Sequence, residues 1–230
     1  MISIIHPSRS RARQAEATAR KWLDNAGCDV EHILSIDFSD PNKKDYYNSY
    51  FLSMGVVCKN NLSAVGAINE GAKQAQGNIL IVLSDDFDCP PLWGKKILDA
   101  TEGKKDWILK TPDGIQKWII TMPVMDRTYY ERFNYIYHPD YLHMFCDTEL
   151  TCVADLTGRK IEANIPFTHN HYSTGKTPQD EVSRRADASW NHGEKLFIER
   201  EKRNFDLPLK DLKGKIQNQD YLNWMRRKGQ

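Results

Sequence analysis

Residues 79–83, Ile-Leu-Ile-Val-Leu, are five apolar positions without a break, entered from Gly77 and left through Ser84-Asp85-Asp86. The run is too short for an independent helix and shows no polar alternation. It therefore predicts a strand covered on both faces, the kind found in parallel sheets. Parallel strands need crossover helices between them, and the flanking sequence supplies helical spacing. Ile2–Ile5 is a short apolar-rich run ended by His6-Pro7, and Ala15, Ala19, Trp22, Leu23 and Ala26 then recur at helical spacing before Gly27. Val30–Ile36 reads as a second strand, Val56–Cys58 as a short third, and Leu62–Ala75 as a helix closing at Gly77. This alternation predicts a doubly wound α/β sheet with right-handed crossovers, whose ligands bind beyond the carboxyl ends of the strands.

Three polar clusters fall at those ends: Pro7-Ser8-Arg9, Asp37, and Ser84-Asp85-Asp86. Asp88 adds a third carboxylate within four positions, just before Pro90-Pro91, which can open the next helix. Like charges at the end of a buried strand are costly unless they are solvated or meet something positive. Capping of that next helix and binding of a cation are both consistent with the pattern. The turn after the first strand is Pro-Ser-Arg-Ser-Arg, with no G-x-G-x-x-G and no P-loop lysine. A diphosphate bound here would need another counter-charge, and a divalent cation on the aspartates would supply it.

After residue 105 the alternation weakens. Trp107–Lys110, Trp118–Met122 and Lys160–Phe167 read as strands, Asp180–Asn204 as a charged helical stretch, and Tyr221–Arg227 as a short helix. No internal repeat or linker divides the 230 residues, so the expected organisation is one domain over 1–175 with a helical extension over 176–230. Residues 1–104 hold the regular alternation and 105–175 the weaker one. A net charge of +1 argues against a nucleic-acid surface, and the longest apolar run is far below a membrane span. No basic segment followed by a long apolar run opens the chain, so no signal peptide is expected. Five scattered cysteines, none spaced C-x-x-C, fit reduced thiols in a cytoplasm rather than a zinc knuckle or a disulfide framework.

In order, ISIIHPSRSR, SIDFSD, NNLSAVGAINEGAKQAQGNILIVLSDD and FCDTELTCVADLTGRKIE resemble the motifs of the family-2 glycosyltransferases of the GT-A fold. The resemblance spans residues 1–172 and implies a Rossmann-like mixed α/β sheet flanked by helices. It further implies a metal-dependent, inverting transfer of a single sugar from a nucleotide diphosphate sugar, most simply a UDP-sugar, to a carbohydrate or other hydroxyl acceptor. Carried over position by position, Pro7, Ser8 and Arg9 would line the nucleotide pocket, Asp37 would accept from the base, and Asn61 would help hold the donor. Leu62 stands where the family often has glycine. Asp85 would contact the ribose or sugar, and Asp86 would bind Mn or Mg. The D-x-D register is open: Asp86-Phe87-Asp88 is a literal match that adds Asp88 as a ligand, whereas strand-end alignment puts the pair at Ser84 and Asp86.

Asp147 stands at the family's acidic motif, with Cys146 in place of the first acid, and would be the general base; Glu149 is the other acid of the segment. Asp147-Thr148-Glu149-Leu150 also reads as a helix cap, a role compatible with catalysis. In His169-Asn170-His171, spacing puts both imidazoles on one face, and the resemblance favours His171 over His169 as a metal ligand. Tyr46, Tyr47, Tyr50 and Phe51 read as a packing cluster, and Tyr129, Tyr130, Tyr135, Tyr137 and Tyr141 as either core or acceptor lining. A processive synthase would carry Gln-x-x-Arg-Trp, which is absent. The competing readings are a sugar-phosphate nucleotidyltransferase, which generally needs a glycine-rich first turn, and a catalytically idle nucleotide-sugar-binding module.

Overall fold

The computed structural model describes residues 1–47, 49–52, 56–60 and 63–218, together with Asn223 and Arg227. In chain order the elements are β1 (Ile2–Ser8), α1 (Ala12–Asp24), β2 (Val30–Asp37), α2 (Ser49–Leu52), β3 (Val56–Lys59), α3 (Ala64–Ala72) and β4 (Ile79–Val82). There follow β5 (Phe87–Asp88), α4 (Trp93–Thr101), β6 (Ile108–Lys110), β7 (Val124–Asp126), α5 (Arg127–Glu131) and α6 (Cys146–Thr157). Then come β8 (Lys160–Glu162), β9 (Thr168–His169), α7 (Glu181–Asp187) and α8 (Trp190–Glu201). Seven strands form one sheet in the order β3-β2-β1-β4-β7-β6-β8, and β5 pairs with β9 in a separate ribbon. Only β7 runs against its neighbours, so the sheet is mixed, as expected.

The apolar run 79–83 behaves as its pattern predicts. Ile79, Ile81 and Leu83 enter one core with Ile2, Ile4, Trp22, Trp93, Trp107 and Phe167. Leu80 and Val82 enter the other, with Ile5, Val65, Ile68 and the aromatic cluster from Tyr129 to Tyr141. Alternation thus splits one strand between two buried layers. Gly77 at its entrance is sterically required: a Cβ there would stand 2.5 Å from Ser3 Oγ and 2.9 Å from the Met1 carbonyl oxygen.

Several local expectations need correction. Residues 118–122 are not a strand. The Asp113 carboxylate accepts from the Ile115 and Gln116 N–H groups and from Thr121 Oγ1, and Thr151 Oγ1 accepts from Ile120, so side chains take the place of a ladder there. The strand read over 160–167 ends at Glu162, short of Pro166, which has no N–H to donate. The helix read over 180–204 divides into α7 and α8 at Ser189, whose hydroxyl accepts from the Met144 N–H and donates to the Ala186 carbonyl. Pro90-Pro91 precede rather than open α4, because Leu92 adopts a left-handed conformation (φ 58°) and helix begins at Trp93. The helix read over 221–227 lies outside the described residues apart from Asn223 and Arg227.

Candidate active site

The carboxyl ends of β1, β2 and β4 do converge. Ser8, at the end of β1, donates to Asp85 Oδ2 at 2.9 Å and lies 2.8 Å from the Tyr46 hydroxyl. Arg9 reaches Ser39 Oγ at 3.1 Å and stands 3.9 Å from Asp37 Oδ1, and Asp37 accepts from the Ser39 N–H. Pro7 sits in register with Ser35 on β2. Asp85 is buried, with Oδ1 2.8 Å from His6 Nε2 and its carbonyl oxygen accepting from Gln14 and Thr18 of α1. Pro7, Ser8, Arg9, Asp37 and Asp85 therefore share one corner of the molecule, whereas Asn61 lies outside the described residues.

Asp86 faces the β5–β9 ribbon. Its Oδ2 is 3.3 Å from His169 Nε2, and its carbonyl oxygen accepts from the Asn170 N–H. Burial pushes the Asp86 carboxyl up, but hydrogen bonding and charge from His169, with Ser84 and Arg11, outweigh burial and bring it down to about 2. Asp86 Oδ1 is buried with no hydrogen-bond partner among the described residues. An orphaned anionic oxygen held ionised in a half-buried pocket is what a hard cation would satisfy.

Asp88 does not join it. Its carboxylate pairs with Lys21 of α1, accepts from Asn170 Nδ2, and is about half exposed. Lys21 and Asn170 hold it low, which accounts for this charge without a metal. The His171 ring lies 5.1 Å from that of His169, and its Nδ1 meets Ser173. Burial and the His169 charge lower the His171 pKa, favouring the neutral imidazole a metal would need. Among the described residues no three His, Cys, Asp or Glu side chains group closely enough to hold a metal by themselves. One or two protein ligands supplemented by substrate phosphates is a usual arrangement for hard divalent ions.

Asp147 lies in the first turn of α6, following Phe145 in a left-handed conformation (φ 73°); it is therefore not the N-cap. Oδ1 accepts from the Thr148 N–H at 2.7 Å, and among the described residues nothing donates to Oδ2. Burial raises the Asp147 carboxyl above its ordinary range, opposed chiefly by Thr148. The His169 charge also reaches Asp147, and the Asp86 charge reaches His143 and His171, so these groups share one electrostatic environment. His143 is exposed, and crowding by its neighbours lowers its pKa.

Glu149 is arranged differently. Arg200 of α8 grips both of its oxygens at 2.8 and 2.9 Å, the Tyr141 hydroxyl donates to it at 2.8 Å, and both charged side chains are 5% exposed. A carboxylate so engaged has little capacity left to take a proton from a substrate. Tyr129, Tyr130, Tyr137 and Tyr141 are all buried, which makes them core rather than acceptor lining.

Four contributors escape motif reading. His6 is buried inside β1, and Tyr46 is buried with its hydroxyl accepting from the Arg11 N–H. Arg11 forms a two-pronged ion pair with Asp180 at 2.7 Å, tying the segment before α7 to the turn after β1. Arg200, the fourth, lies beyond residue 172. The Arg-Ser-Arg turn was the one available signal for Arg11.

The family model for "Glycosyl transferase family 2" matches residues 3–167. No curated protein matches the sequence. Among solved structures, the chain is similar to the mannosyltransferase PcManGT from Pyrobaculum calidifontis in complex with GDP-Man and Mn2+, with a TM-score of 0.58 and 11% identity over 73% of this chain and 56% of that one. S. aureus TarS gives 0.56 and 13% over 91% of this chain and 44% of that one. Glucosyl-3-phosphoglycerate synthase from Mycobacterium tuberculosis, in complex with Mn2+, UDP and glucosyl-3-phosphoglycerate, gives 0.54 and 14% over 82% and 78%. At these identities the likeness is one of fold, and the chain spans about half the length of the first two structures.

Proposed function

Because the chain belongs to glycosyl transferase family 2, we propose that it moves a single sugar, with inversion, from a nucleotide diphosphate sugar to an acceptor hydroxyl. The observation that carries this reading is the contrast on α6. Asp147 has a raised carboxyl and one oxygen with no donor among the described residues, whereas Glu149 two positions on is saturated by Arg200 and Tyr141. A hydroxyl is a poor nucleophile until a positioned base takes its proton as it attacks the anomeric carbon. Asp147 Oδ2 receives that proton, and attack from the face opposite the leaving diphosphate inverts the centre.

Ser8, Arg9 and Asp37 form the nucleotide end of the site, with Pro7 in the same turn and Asn61 as the remaining proposed contact. Asp86 and His171 would hold a divalent cation, Mn or Mg, and His169 on Asp86 Oδ2 holds that side of the carboxylate while Oδ1 keeps no hydrogen-bond partner among the described residues. Such a cation, when bound, supplies charge compensation for the leaving diphosphate. The geometry supports Asp88 least as a ligand, since Lys21 already meets it. Bound Mn2+ and UDP or GDP-Man in the structural neighbours support a metal and a nucleotide sugar, with a UDP-sugar as the first donor to test. No helix among the described residues is long and apolar enough to cross a membrane. The five free cysteines support a cytoplasmic setting.

The test is a nucleotide-sugar panel with Mn or Mg, followed by Asp147→Asn and Glu149→Gln. Asp147→Asn should bind nucleotide normally and lose roughly 100-fold in transfer, the scale of a positioned acid–base group. Full activity of Asp147→Asn with an inactive but folded Glu149→Gln would exchange the roles. Release of pyrophosphate from a nucleoside triphosphate would support a nucleotidyltransferase instead.

A further inference from the structure

Two histidines lie inside the sheet where apolar residues would be expected. His32 on β2 is in register with Ile4 on β1, and His6 lies two residues further along β1. His6 Nδ1 is 2.9 Å from His32 Nε2, and His6 Nε2 is 2.8 Å from Asp85 Oδ1. The Asp85 carboxylate also accepts from Ser8, which meets Tyr46. All five side chains are buried, with His6 and Tyr46 at 0% exposure.

The direction of this chain can be worked out. An ionised Asp85 only accepts, so His6 Nε2 carries a proton and donates. His32 Nδ1 is buried with no partner among the described residues. A buried N–H without an acceptor is rarer and costlier than an unshared acceptor lone pair, so the His32 proton sits on Nε2. His32 Nε2–H then donates to His6 Nδ1, which must be a lone pair. Burial above all brings His32 down to about 3, consistent with an imidazole that stays neutral. Each donor therefore points toward Asp85.

We propose that His6 and His32 are positioning residues for donor binding: His32 donates to His6 Nδ1 and holds its ring, and His6 with Ser8 locks Asp85 as the knot beneath the nucleotide pocket. Asp85 ties the end of β4 to β1 through His6 and Ser8, and to α1 through Gln14 and Thr18. Asp86 follows it directly, so the aim of Asp86 depends on the knot holding. The donor-binding part of this proposal rests on the glycosyltransferase reading; the tautomers do not.

The experiment compares His6→Gln, His6→Asn and His32→Leu with the parent. Glutamine places an N–H near the position of Nε2, whereas asparagine places it near Nδ1. Binding of UDP and of GDP with Mn2+ is measured by calorimetry, and long-range imidazole 1H–15N spectra are recorded for the parent. His6→Gln should stay within about threefold of the parent. His6→Asn should lose about tenfold or more, the scale for removing an outer partner that orients a ligating carboxylate. His32→Leu should fall between them, because His6 keeps its Nε2–H on Asp85 but loses the donor that holds its ring. Both histidines of the parent should show protonated Nε2 and bare Nδ1 at neutral pH. A parent spectrum with protonated Nδ1 on either ring overturns the relay whatever the function. Equal affinity in the Gln and Asn variants, both folded, overturns the positioning role. A parent with the expected spectrum that binds neither nucleotide overturns the donor reading and this role with it.

Discussion

Arg200→Met removes the guanidinium that grips Glu149 from α8. Both side chains are 5% exposed and joined by two hydrogen bonds of 2.8 and 2.9 Å, so the substitution leaves a carboxylate buried without its counter-charge. Breaking a buried pair from one side costs about 3–5 kcal/mol. Tyr141 still donates to Glu149 Oε2, which places the expected loss near the lower end, about 3 kcal/mol. For a chain of this size each kcal/mol moves Tm by roughly 2–4 °C, so a fall of about 6–12 °C is expected. The assay is urea unfolding, with the midpoint shifting at unchanged m-value. Glu149→Met combined with Arg200→Met should recover most of the loss, because replacing both partners of a buried pair by apolar groups is often neutral. A single-variant loss below about 1 kcal/mol would refute the reasoning. A double variant that merely added the two single losses would refute it equally, because it would show that the two side chains act independently.

If Asp147 is the base, kcat/KM should rise with pH through a value above the ordinary carboxylate range, in the direction of its burial-driven shift, and this limb should vanish in the residual activity of Asp147→Asn. The same shift means that the folded protein binds this proton more tightly than the unfolded chain does. Ionised Asp147 therefore costs stability above that pH, and Asp147→Asn should not lower the urea midpoint at pH 7. Asp86→Ala should abolish Mn2+-dependent nucleotide affinity in calorimetry, and His171→Ala should weaken it more than His169→Ala. A loss confined to His169→Ala would transfer the ligand role to His169, which already stands 3.3 Å from Asp86.

What could be read from the sequence was what is local and periodic. The run 79–83 declared a strand buried on both faces because its neighbours at alternate positions had no polar face to present. The polar clusters ending β1, β2 and β4 could be placed together because parallel strands end on one edge. His6 and His32 could not: each looks like one polar position among several in a largely apolar strand, and only the register of β1 on β2 makes them neighbours. Arg200 and Glu149 are 51 residues apart in the chain, and no period links such positions. The tyrosines from 129 to 141 show the limit of composition, since the same rings serve a core or a sugar site and burial alone decides. Asp88 shows the reverse case, for a literal D-x-D match proposes it as a ligand, and only the fold brings Lys21 and Asn170 onto its carboxylate.

The Arg11–Asp180 pair joins positions 169 residues apart, from the turn after the first strand to the cap of α7. During synthesis at about 5–20 residues per second, Arg11 would therefore wait roughly ten to thirty seconds before its partner left the ribosome. Once residue 82 has emerged, β1, β2 and β4 could already have paired, presenting the corner that holds Ser8 and Asp85 with the Arg11 guanidinium turned to solvent and no α7 across it. Competence would thus arrive late and all at once, with the docking of residues 180–200 onto a sheet already formed. A nascent chain halted before Asp180 should be compact and protease-resistant over its first strands, yet silent in any transfer assay.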